Sequence, residues 1–199
     1  MNPALRLIGK LNHSDSGSSE GQFYDGEFTE AVFGTALRPV VHDRFNALLK
    51  LTYFYNVPTV EQVALHDTPV EFIQRSRIAS LDLSYDIGTR WSVGAKYASR
   101  TGELSLDRAT RVFFDNGATL IVLRADWEFK EGWEALIETR RLDVVDLGEQ
   151  RSGALLVVSR SLGSHVKLGI GYNFTDFSDD LTDLDFDHRG AFLSLTGAL

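Results

Sequence analysis

The densest group of reactive side chains is an acidic run near the carboxyl end, Asp176, Asp179, Asp180, Asp183, Asp185 and Asp187, followed directly by His188. Hard cations such as calcium take several oxygen ligands at short range, and the alternating Asp183, Asp185 and Asp187 can present carboxylates on one side. The run lacks the EF-hand spacing and its loop glycine, so the competing reading is a solvated acidic loop. Hydrolysis at this place would need paired carboxylates and a His–Asp pair within hydrogen-bond reach of one proton, which adjacency in sequence does not supply. No second acidic pair at a matching depth accompanies it. His13, His42, His66 and His165 are scattered through expected loops and turns, which argues against a metal site. The absence of cysteine removes thiolate nucleophiles, disulfides and thiolate metal sites. Gly169 and Gly171 of GIGYNF fall mid-strand with no helix after them, so they relieve crowding or permit bending and do not cradle a phosphate. The expectation is a chain that is not an enzyme and holds no cofactor, with calcium at Asp179, Asp180, Asp183, Asp185 and Asp187 as the one candidate.

A second set of charges recurs at alternate positions, and the elements that place them are strands. In Val166–Thr175, Val166, Leu168, Ile170, Tyr172 and Phe174 oppose Lys167, Gly169, Gly171, Asn173 and Thr175. The same two-residue period runs through the stretches around Phe45–Asn56, Trp91–Arg100, Ile121–Lys130 and Trp133–Arg140. Weaker strands are expected at about 4–13, 28–38, 73–86, 152–161 and 188–199, which makes ten. In 152–161 the register is ambiguous, and Arg160 is placed inward with Leu155 and Val157 outward. The polar face then collects Arg6, Lys10, Glu30, Lys50, Asp82, Lys96, Arg100, Arg124, Asp126, Glu128, Glu134, Glu138, Arg140 and Lys167.

Short links near 39–43, 87–90, 130–132 and 162–165 alternate with long ones near 14–27, 57–72, 101–116, 143–151 and 175–187. That alternation describes an up-and-down antiparallel meander with its long loops at one end and both termini at the other. A single domain, 1–199, fits the length. With 28 acidic against 20 basic residues the chain does not read as a nucleic-acid binder. The net charge of −8 is unevenly spread. The five long links hold 19 acidic and three basic residues, a balance of −16, and the remainder carries +8.

No stretch reaches the roughly 18 apolar residues of a spanning helix, but membrane strands average to near-neutral hydropathy because their faces alternate. Aromatic side chains gather at strand ends on the apolar face, at Tyr53, Tyr55, Trp91, Trp127, Phe129, Trp133, Tyr172 and Phe174, as in the girdles of a lipid–water interface. Strands of 10 to 13 residues suit the roughly 9–11 needed to cross a tilted bilayer span. Lipid forbids open edges, so the expected fold is an all-β, transmembrane, antiparallel up-and-down β-barrel of about ten strands. A soluble ligand-binding β-barrel with the apolar face inward is the alternative.

The tail KLGIGYNFTDFSDDLTDLDFDHRGAFLSLTGAL, with RPVVHDRFNALLKLTYFYNVP, QRSRIASLDLSYDIGTRWSVGAKYASRTGELSLDR and LRADW, resembles the C-terminal outer-membrane β-barrel domain of large, multi-domain proteobacterial surface-associated proteins. The resemblance spans most of the chain. It implies insertion by the outer-membrane barrel assembly machinery through a signal strand with Ala191, Leu193, Leu195, Gly197 and Leu199 on the lipid face. Such strands usually end in an aromatic residue, whereas this one ends in Leu199. In larger relatives more sequence precedes the matched part, so an N-terminal domain of a longer parent chain or a further strand pair, giving 12 strands, is an expectation. Met1 leading directly into a strand-like segment reads as a removed signal peptide or a fragment.

The expected function is a membrane anchor and display module in the bacterial outer membrane. Its termini would be periplasmic, and its acidic loops extracellular beside lipopolysaccharide. The alternative is a small porin-like channel. If interior charges pair, the barrel is filled and only anchors. If Lys50, Lys96, Arg100, Arg124, Arg140 and Lys167 form a ladder, a thin anion path opens. Barrels of about eight strands are filled by side chains and open channels belong to about 16, which favours the anchor.

Overall fold

The computed structural model describes residues 4–17, 26–39, 43–58, 73–107, 110–163, 166–177, 181 and 189–197. Among these residues eleven strands follow in chain order: β1 Leu5–Ser16, β2 Gly26–Leu37, β3 Phe45–Val57, β4 Ile73–Ile87, β5 Trp91–Ser105, β6 Phe113–Asp115, β7 Ala118–Lys130, β8 Trp133–Val144, β9 Glu149–Leu162, β10 Val166–Asn173 and β11 Gly190–Gly197. Every ladder is antiparallel, and ten strands pair in the order β1-β2-β3-β4-β5-β7-β8-β9-β10-β11. The three-residue β6 folds back on the far end of β5. This is the path of an up-and-down barrel, with about the expected number of strands. Among the described residues no ladder joins β1 to β11, and β1 is exposed along its whole length.

The period of two in the sequence becomes two distinct surfaces. Along β4, Ser76, Ile78 and Ser80 are buried while Leu81, Leu83, Tyr85 and Ile87 are exposed. Along β10, Gly169 and Asn173 are buried, and Val166, Leu168, Ile170 and Tyr172 face outward. The sheet therefore wraps its polar and small residues inside and leaves its large apolar residues outside, the reverse of a soluble sandwich.

Three details depart from the sequence reading. The β8–β9 link, expected to be long, is the tight turn Val145–Gly148, with Gly148 at φ 63 and Gly117 NH donating to Asp146 Oδ2 at 2.5 Å. Strand pairing there continues through Asp143, Val144, Glu149, Gln150 and Arg151, residues expected within the long link. Arg160 is the second. It pairs with Trp133 and Leu168 on the outer face, its guanidinium 5.2 Å from the Trp133 ring centroid, and Leu155 and Val157 point inward. The reason lies across the ladder. Val157 faces Gly171 and Ser159 faces Gly169, so the glycines leave interior room for the larger partner. His13, expected in a loop, lies in β1 with Nδ1 3.0 Å from Thr29 Oγ1.

Candidate functional site

The ladder registers place all 14 charges of the expected polar face on one surface. Arg6 lies across from Ala36, Lys50 from Ser80, Asp82 from Lys96, Lys96 from Val122, Arg124 from Glu138 and Arg140 from Val122. Once on a common wall, opposite charges approach closely. Lys10 Nζ donates to Glu30 at 2.7 Å, and Lys167 Nζ to Glu134 at 2.8 Å. Arg124 grips Asp126 with two bonds, from Nε at 2.8 Å and Nη2 at 2.9 Å, a bidentate geometry that fixes both side chains. Arg140 Nε donates to Glu138 at 2.5 Å, both side chains about nine-tenths buried. Glu128 accepts from the Gly132 NH in the turn below it. Eight of the 14 charges thus form four ion pairs along the wall. Of the six cations that could form a ladder, Arg124, Arg140 and Lys167 are each ion-paired with an acidic neighbour.

Beside the Arg124–Asp126 pair and Glu138 lies a cavity of about 780 Å³ toward the turn end, lined also by Arg6, Asn46, Asp82, Ser92, Lys96 and Val122 among others. Its far limit is apolar. Ile78, Ala98, Ala118, Leu120, Val122, Leu142 and Val144 gather on the interior of β4, β5, β7 and β8, and Phe177 and Leu181 from the β10–β11 link complete the cluster. Arg140 Nη1 donates to the Phe177 carbonyl at 3.5 Å and Arg100 Nη1 to the Leu181 carbonyl at 3.3 Å. Thr175, fully buried, fills the space over Gly153, where a Cβ would come within 2.3 Å of its Oγ1. Sequence reasoning missed this cluster, although Leu120–Leu123 is apolar at four successive positions, a signal that both faces are dry there.

On the outer face the aromatic residues picked out from the sequence fall in two groups, and Phe33 and Tyr97 lie in mid-strand between them. Near the turns, Trp91 and Trp127 stack at 5.1 Å, with Phe129 5.6 Å from Trp127 and Trp133 6.3 Å from Phe129. Toward the loops, Tyr172 and Phe174 lie 4.4 Å apart, and Tyr53 and Tyr55 end the apolar side of β3. Tyr85 joins the lower group across from Phe45 and Val93 and was not picked out from the sequence. Beyond the upper group the outer face turns charged. Arg75 pairs with Glu103 and sits 4.3 Å over the Phe113 ring. At the tip of the β8–β9 hairpin, the hydrogen bond and charge of Arg151 hold the Glu149 carboxyl below its ordinary range.

Of the acidic run, Asp176 is exposed, and Asp179, Asp180, Asp183, Asp185, Asp187 and His188 lie outside the described residues. Among the described residues no three His, Asp or Glu side chains assemble into a metal site. Ala191, Leu193, Leu195 and Gly197 of β11 are exposed, and Leu199 lies outside the described residues. No protein-family model matches this chain, and no curated protein matches it.

Proposed function

We propose that the chain is an integral outer-membrane β-barrel that anchors or displays a longer polypeptide and has no catalysis of its own. One observation carries the reading: a continuous apolar outer face, bounded by aromatic groups and then by charge. Along β4 that face runs from Ala79 to Ile87. Nine residues at about 3.3 Å each, tilted by about 40°, give a height of about 20–23 Å, close to the apolar band of about 25 Å on such barrels. In water, Leu193 at 83% and Leu195 at 73% exposure would be an aggregation liability. In lipid they meet their own kind. Closure follows from the same medium, which tolerates no open ladder edge. The partners of this reading are outer-membrane lipid, lipopolysaccharide at the acidic loops and the barrel assembly machinery.

Leu83 and Ser84 test it because they are consecutive and face opposite ways at the middle of the band. Leu83 is exposed, and Ser84 lines the cavity and accepts from Asn46. An arginine on the lipid face at mid-depth costs about 2–4 kcal/mol, whereas one in a wet, partly acidic interior costs little. Leu83→Arg is expected to block assembly into vesicles and Ser84→Arg to leave most of it intact, read by flotation and protease protection. Equal assembly of both variants, or a monodisperse wild-type monomer in detergent-free buffer, would overturn the membrane reading.

The rival is a small channel, which the cavity favours and the ion pairs and apolar cluster oppose. Planar-bilayer recordings of the wild type are expected to be silent. Steady single-channel steps that tolerate voltage would replace the anchor reading with the channel.

A further inference from the structure

We infer that the interior is a one-ended chamber: wet and open toward the turn end, and sealed at the loop end by a dry plug to which the β10–β11 link contributes Phe177 and Leu181. The inference rests on the proposed barrel, since a chamber needs a closed wall. Two independent features define it. The first is the cavity of about 780 Å³, whose lining mixes charged side chains such as Asp82, Lys96, Arg124 and Glu138 with apolar ones and reaches the short-turn residues Arg38, Pro39 and Asp43. The second is the apolar cluster, in which Ala98, Leu120, Phe177 and Leu181 have no exposed surface at all. Val122 belongs to both, so the ceiling of the chamber is the underside of the plug.

The plug is fastened to the wall. Arg140 is held through Nε by Glu138, which lines the chamber, and its Nη1 reaches the Phe177 carbonyl. Arg100 holds the Leu181 carbonyl from the neighbouring wall. Below these residues the link is stitched to β9, where the Ala154 carbonyl accepts from the Phe174 NH at 2.8 Å and from Thr175 Oγ1 at 3.4 Å. A loop that merely strayed inward would lack these partners. Interior charges alone would leave water-sized paths between pairs, whereas a close-packed apolar layer excludes hydrated ions. The ion barrier is therefore the plug, and the paired charges beneath it line a vestibule that solutes enter from the turn side only.

The chain has no cysteine, so single reporters are unambiguous. Ser92→Cys places a thiol in the chamber, and Ala98→Cys places one within the plug at little change of volume. With a polar maleimide in detergent micelles, Ser92→Cys is expected to label readily and Ala98→Cys about a hundredfold more slowly, as expected for a site reached only by local opening. Adding Phe177→Ser and Leu181→Ser should bring Ala98→Cys to the fast rate and give conducting steps in planar bilayers where the wild type gives none. Gly153→Val, which unseats Thr175 without altering a plug residue, should act in the same direction. Heat-dependent gel mobility verifies that each variant folds. Fast labelling of Ala98→Cys with the plug intact would overturn the inference. So would continued protection, or continued silence in bilayers, once either plug change is made in a folded barrel. Conduction by Arg124→Gln/Asp126→Asn with the plug untouched would assign the barrier to the charges instead. Failure of the wild type to float with vesicles sinks the membrane reading by itself, and the labelling contrast in micelles decides the plug separately.

Discussion

Glu138 and Arg140 are two positions apart on β8, so the pleat puts them on the same face, and side-chain exposures of 10% and 12% leave them little water. Desolvation makes such a pair a weak net stabiliser, while loss of one partner strands the other's charge. Arg140→Met is accordingly expected to cost about 3 kcal/mol, the low end for a broken buried pair, because Arg124 lies across the ladder from Glu138 and still neutralises part of its charge. Chemical unfolding in detergent measures this. Adding Glu138→Gln should recover at least about 1 kcal/mol, a coupling within the range for residues in contact. Additive losses would show that the two side chains do not depend on each other.

At the scale of elements, the β9-β10-β11 corner depends on small residues facing large ones. Phe192 on β11 lies over Gly171, which in turn faces Val157 on β9. A Cβ at Gly171 would come within 2.6 Å of Phe192 Cζ and 2.8 Å of the Leu156 carbonyl oxygen, and the second of these is backbone that cannot swing away. Gly171→Ala is expected to destabilise the barrel by about 1–3 kcal/mol, the usual cost of overpacking. Gly9→Ala, where a Cβ meets nothing within 4 Å, should stay within about 0.5 kcal/mol of wild type. Unfolding midpoints of the two variants compare them directly, and equal midpoints would remove the crowding argument.

For the whole molecule the seam lies between β1 and β11, which share no ladder among the described residues. An even count in the meander makes β1 and β11 antiparallel, so joining them would keep every ladder of one kind. Leu7→Cys combined in turn with Leu193→Cys, Leu195→Cys or Gly197→Cys covers three registers on the outer face. Direct closure predicts a disulfide in at least one combination, since paired strands bring Cα atoms within the roughly 4.4–6.8 Å a disulfide spans. A barrel of twelve strands, with a pair from preceding sequence between the edges, predicts none. The two outcomes are read on a non-reducing gel after assembly into vesicles.

The alternation in stretches such as Phe45–Asn56, Trp91–Arg100 and Val166–Thr175 assigned strands and faces, because a period of two is a local property of the extended chain, and the spacing of the links gave the meander order. Where both faces are apolar the period vanishes, and there the sequence could not choose. Leu155–Val158 took the opposite register from the one expected, decided by which side of β10 offered the space of Gly169 and Gly171. The partners within the charged wall were likewise a matter of ladder register, which depends on neighbouring strands. The plug lay furthest from view, since it joins Ile78, Leu120, Leu142, Phe177 and Leu181 across about a hundred residues of chain. Local spacing prescribes which way a side chain points; only the curled sheet decides what it meets there.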